Sequence, residues 1–173
     1  MRTTTIAAAA AVILLAGCGK SGPPPKREPG SWTQKMELKR FEGKDAEKAK
    51  AGIEQMFAMM SAMSVCVTPE MAAKEDPTAN LEKLGGGNGD CKFDRKSVAG
   101  GNLDISGTCK SAGGKSAKVT ATGTMGASDQ DIDMTVEGYD ASGAKEGLME
   151  MRVHSTRNGE CTAKDMKSPT ATM

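Results

Sequence analysis

The sequence predicts an α+β domain: an antiparallel sheet of about five to six strands, mostly a meander, packed against one amphipathic helix and stapled by disulfides. Three observations carry this. Residues 91–153 alternate apolar and polar side chains with period two, in successive short runs. Residues 44–63 carry instead the three- and four-residue spacing of a helix. Four cysteines, Cys66, Cys91, Cys109 and Cys161, are spread through a chain with one Trp, one Tyr and three Phe against 21 Gly and 13 Met. Such a composition buries little area per residue, and cross-links supply what the core lacks.

The chain opens with Arg2 and an apolar run from Ile6 to Ala16, too short to cross a bilayer as a finished helix. Leu15, Ala16, Gly17 and Cys18 resemble the bacterial lipobox. That resemblance implies cleavage before Cys18, diacylation of its sulfur and acylation of its new amino group. The protein is then expected on the periplasmic face of the cell envelope, held by lipid. Gly19 stands where an Asp would act as the inner-membrane retention signal of enterobacterial lipoproteins, so the outer membrane is the expected address. Residues 18–30, rich in Gly and Pro, read as a tether. Pro23 to Pro25 favour polyproline II at about 3.1 Å per residue, enough to hold the body some 20 to 35 Å from the lipid.

Without residues 1–17 the chain keeps 156 residues, with 22 basic and 22 acidic side chains. One domain is expected, over 31–165, with a loose tail at 166–173. A formal charge near zero gives no electrostatic case for nucleic acid.

Ser31 to Phe41 alternates Trp32, Met36 and Leu38 with Lys35, Glu37 and Lys39, as a half-buried strand does. In the helix of 44–63, Ile53, Met56, Phe57, Met60 and Met63 form the apolar face. Residues 64–70 leave it as a short extended piece carrying Cys66. Thr68 before Pro69 marks the N-cap and first position of a short helix over Pro69 to Glu75. Pro77 to Leu84 suggests another helical turn, and Leu84 to Asp90 a glycine-rich loop.

Next, Cys91, Phe93 and Arg95 are placed on one face, as are Leu103, Ile105, Gly107 and Cys109. With a turn at 98–102 pairing Val98 to Asn102, Cys91 faces Cys109 and Phe93 covers Gly107. Cys66 and Cys161 then pair by elimination, one of three connectivities. Separations of 25, 18 and 52 positions do not resemble paired zinc knuckles, and no Cys-x-x-Cys occurs. Three more strands follow, around Val119–Met125, Ile132–Val136 and Met149–Val153.

At Pro29 to Trp32, Cys66 to Glu70 and Asn158 to Cys161, with Cys91 and Cys109 between, the chain resembles the bacterial domain of unknown function numbered 3617. The resemblance runs from about Pro29 to Cys161. It implies an exported domain and brings no catalytic residue.

Four features invite chemistry. Met56, Met59, Met60 and Met63 offer thioethers of the kind that suit Cu(I), yet share a helical sector with Ile53 and are assigned to the core. Asp129, Asp131 and Asp133 imitate the start of an EF-hand, but Met134 replaces the required Gly and Asp140 the bidentate Glu. His154, the one histidine, lies on a polar strand face without a nucleophile motif. Gly85 to Gly89 lacks the Lys-Ser/Thr of a phosphate loop. No metal, no cofactor and no catalysis are therefore expected. The expected function is a membrane-anchored protein working through protein contacts in the envelope. The alternative is a carrier holding a lipid or small hydrophobe between the Met-rich helix and the sheet.

Overall fold

Period-two alternation recurs from residue 91 to residue 157, and the backbone follows it. The computed structural model describes residues 22, 23, 25–76 and 90–167. The described elements are β1 (Gly30–Glu42), α1 (Ala46–Ser61), β2 (Ser64–Val67), α2 (Pro69–Lys74), β3 (Asp90–Ala99), β4 (Asn102–Lys110), β5 (Ser116–Met125), β6 (Asp129–Tyr139), β7 (Lys145–Arg157) and β8 (Met166–Lys167). The suggested helical turn at 77–84 and most of the loop at 84–90 lie outside the described residues.

One sheet takes them all, in the order β3-β4-β5-β6-β7-β1-β2-β8. From β3 to β7 it is an antiparallel meander, closed on the β7 side by antiparallel β1 and β2. Among the described residues eight strands stand where five to six are expected, and α2 is the short helix expected after Thr68 beside the one amphipathic helix. The additions are short: β2 is the extended piece carrying Cys66, and β8 has two residues, paired in parallel with β2. Such lengths carry no readable period. β8 takes Met166 and Lys167, which corrects the loose tail expected from residue 166 at those two positions; residues 168–173 lie outside the described residues.

Leu103, Ile105, Ala121 and Met125 are buried together on the apolar face, with Phe93, Val98, Ile132 and Met134 packed against them. A second cluster, Trp32, Val67 and Ala72 with Met71, lies where β1, β2 and α2 meet. Thr68 caps α2, its Oγ1 accepting from the Met71 N–H at 3.2 Å, as its place before Pro69 predicts.

The β3–β4 hairpin pairs Cys91 with Cys109 and Phe93 with Gly107, as expected, by a different route. The turn is the two-residue pair Gly100-Gly101, both in the left-handed region at φ 56° and 84°, so Ala99 and not Val98 faces Asn102. An irregularity between Phe93 and Arg95 takes up the one-residue difference. Beyond it Arg95 faces Ser106, on the side of the sheet away from Cys91 and Phe93, which corrects its expected placement. A Cβ added at Gly107 would stand 2.6 Å from the Lys92 carbonyl oxygen and 2.8 Å from the Phe93 ring. Gly107→Ala should therefore cost about 1 to 3 kcal/mol, measured as a shift in denaturation midpoint. An unchanged midpoint would mean that both the ring and the Lys92 backbone move aside freely.

Candidate functional site

The amphipathic helix is the first place to look for a site, and its faces are not where the apolar count puts them. Phe57 is buried at 6% exposure, while Met56, Met59 and Met63 stand 50%, 64% and 38% exposed. Ile53 and Met60 are half-buried. At 100° per residue Met56, Met59 and Met60 occupy one arc, with Met63 just past the C-cap, and Glu54, Phe57, Ala58 and Ser61 the arc beside it. The second arc meets β1: the Met36 N–H donates to Ser61 Oγ at 3.2 Å. Ala58 and Ser61 are small enough to let the helix backbone approach the strand. The stronger apolar stripe thus faces solvent, which corrects the assignment of Met56, Met59 and Met63 to the core. It corrects the sheet coverage too, since α1 packs against β1 and not across the meander.

An open groove of about 500 Å³ runs between α1 and β1, lined by residues 35–39 of the strand and by Glu54, Phe57, Ala58 and Ser61. Of the expected ligand face, only Phe57 lines it; Ile53, Met56, Met60 and Met63 do not. Its strand wall presents Met36 and Leu38, but also Lys35, Glu37 and Lys39. Hydrogen bonds from Lys39 and Lys35 hold the Glu37 carboxyl well below its ordinary range, at about 2.

Both disulfides form as expected: Cys91 with Cys109, and Cys66 with Cys161 across Cα atoms 5.2 Å apart. Beside the second lies a polar knot that no motif announces. Asp165 accepts from Ser31 Oγ at 2.8 Å, from Ser64 Oγ, and from the Thr162 N–H at 2.5 Å. It ties β1 and β2 to the segment leading into β8. These donors, Ser64 first, lower its pKa from the ordinary 3.8 to about 2. Because the folded value lies below the unfolded one, its contribution is present above pH 3.8 and lost as pH falls through about 2. Asp165→Asn should flatten that part of the acid stability profile; an unaltered profile would show that the knot does not contribute.

From Gly22 on, the described residues of the expected tether belong to the body. The Gly100 N–H donates to the Gly22 carbonyl at 2.9 Å, and the Glu28 N–H to the Ala127 carbonyl at 2.8 Å. Lys26 Nζ donates to the Ala73 carbonyl at 2.6 Å. Arg27 grips Glu75 at 2.7 and 2.9 Å and lies 5.3 Å over the Trp32 ring, whose Nε1 donates to the Glu28 carbonyl at 3.0 Å. Residues 22, 23 and 25–29 therefore form a strap across one end of the sheet, from the β3–β4 turn past the β5–β6 turn to β1. This corrects the picture of a free spacer up to residue 30.

The remaining candidates resolve into surface chemistry. Arg152 donates to both carboxylate oxygens of Asp131, at 2.7 and 2.5 Å, and this pairing lowers the carboxyl pKa. His154 Nδ1 lies 3.8 Å from the same carboxylate, and Nε2 is 3.1 Å from Thr156 Oγ1. Hydroxyl, imidazole and carboxylate thus stand in line. They do so on the solvent-facing side of β7, which pairs with β6 and β1. Cys18 and Gly85 to Gly89 lie outside the described residues.

No curated protein and no solved structure matches the chain. A family model does, over residues 27–161, from the strap's Arg27 to the second cysteine of the long disulfide. The chain belongs to the family described as protein of unknown function (DUF3617).

Proposed function

We propose that this chain is a lipid-anchored protein on the periplasmic face of the cell envelope, at the outer membrane, working through protein contacts and without catalysis. Cys18 carries the lipid, and the two disulfides suit an oxidising compartment. The observation that carries the contact reading is the methionine stripe. Met56 and Met59 on α1, and Met63 just past its C-cap, stand in solvent, and none of them is needed to hold the helix on β1. Flexible thioether side chains adapt to varied apolar surfaces, which suits a protein partner.

Cys18→Ser should release a folded, soluble body, and a variant that stays with membranes after high-salt washing would refute the anchor. For the contact surface, a photo-crosslinking residue at position 59 should give one adduct of discrete protein mass in cells. Adding Met56→Lys and Met63→Lys should abolish it. An adduct that survives both changes would refute the stripe.

One observation favours the carrier reading instead: the open groove does present Met36, Leu38 and Phe57. A lipid adduct released only on unfolding of the Cys18→Ser body would establish it.

A further inference from the structure

The strap fixes which part of the body is nearest the anchor. All strand ends from Ala99 and Asn102, through Met125 and Asp129, to Arg157 and Gly30 lie at one end of the sheet, by the register of the ladders. The strap crosses that end, and its first described residue, Gly22, is hydrogen-bonded to Gly100 in the β3–β4 turn. Between Cys18 and Gly22 the sequence has only Gly19, Lys20 and Ser21. Four residue steps span at most about 14 Å, however they are arranged. A tether free to Gly30 would span about 37 Å as polyproline II.

We infer that the body meets the phospholipid headgroups by this strapped end, with the Gly100-Gly101 and Gly126–Ser128 turns against the lipid surface and the opposite turns away from it. This rests on the reading of Cys18 as the lipid-bearing residue. Chain length places the corner at Gly100 within reach of the headgroups. Composition then sets the tilt. The two near turns consist of Gly, Ala and Ser, and the charged side chains that flank them at this end are tied into the body: Lys26 on the Ala73 carbonyl, Arg27 on Glu75, and Arg157 on the Pro29 carbonyl and Glu160. The opposite end carries Lys110, Lys115, Asp140, Lys145 and Glu146, all strongly hydrated. A strand of nine residues such as β4 separates the two ends by about 30 Å.

The test uses the full-length lipidated protein in phosphatidylethanolamine–phosphatidylglycerol vesicles containing a headgroup-spin-labelled lipid. One fluorophore is placed at Ser128→Cys, in a near turn, and in a separate protein at Ala141→Cys, in a far one. Quenching should be severalfold stronger at position 128. Inserting twelve Gly/Ser residues between Ser21 and Gly22, outside the strap, should remove most of that difference without unfolding the body. Equal quenching at the two positions would overturn the orientation, as would an insertion that changes nothing. A protein that fails to float with the vesicles would overturn the anchor itself, and the orientation with it.

Discussion

Replacing Cys66 and Cys161 together by alanine should lower stability by about 3 to 5 kcal/mol, the larger of the two disulfide effects. The bond closes a loop of 95 positions, against 18 for Cys91–Cys109, and the unfolded chain loses more freedom to the longer closure. The native state has a second reason to depend on it. β2 has four residues, held by β1 on one side and two residues of β8 on the other. Cys161 anchors the segment that carries both Asp165 and β8. Without the bond, β2 and α2 retain few tethers, and Val67 and Ala72 leave the Trp32 cluster with them. The Cys91/Cys109 pair should cost less, about 2 to 3 kcal/mol, because the hairpin ladder already holds its register. Denaturant midpoints of the oxidised proteins check the order; equal losses would contradict it.

Trp32→Ala should cost about 3 to 5 kcal/mol, the range for deleting a large buried ring. Trp32 is 2% exposed and packs with Val67, Ala72 and Met71. Its loss should be felt beyond the cavity. The indole also holds the strap, through Nε1 on the Glu28 carbonyl and through the ring beneath Arg27. Trypsin should therefore cut after Lys26 and Arg27 faster in the alanine variant than its global stability alone predicts. Trp32→Phe, which keeps much of the ring but not the donor, should lose about 1 kcal/mol. Cleavage at Arg27 that tracks global unfolding in all three proteins would show that the strap is held independently of Trp32.

Strands were legible because their information is local. Val119 to Met125, Ile132 to Val136 and Met149 to Val153 each show their face within a few residues, and the ladders keep it. Errors arose where geometry departs from simple counting. One irregularity after Phe93 turned Arg95 to the opposite face, while the same extra residue restored Cys91 to Cys109 after a turn misplaced by one. The helix is legible in the sequence, but its orientation is not. Apolar count favours Met56, Met60 and Met63, whereas close approach to β1 favours Ala58 and Ser61. The strap was unreadable because Gly and Pro describe only local freedom. They do not reveal that the Gly22 and Glu28 backbones find partners at Gly100 and Ala127. Asp165 belongs to the same class, a carboxylate whose role depends on Ser31 and Ser64 arriving from distant strands.

The proposed anchoring is tested most directly by the intact mass of the full-length protein extracted from membranes under non-reducing conditions. The expected species begins at Cys18 and carries its acyl groups. It is four hydrogens lighter than the corresponding reduced chain, because each of the two disulfides removes two. A chain without lipid, or one that begins elsewhere, would contradict the anchor; the fully reduced mass would contradict the cross-linked body.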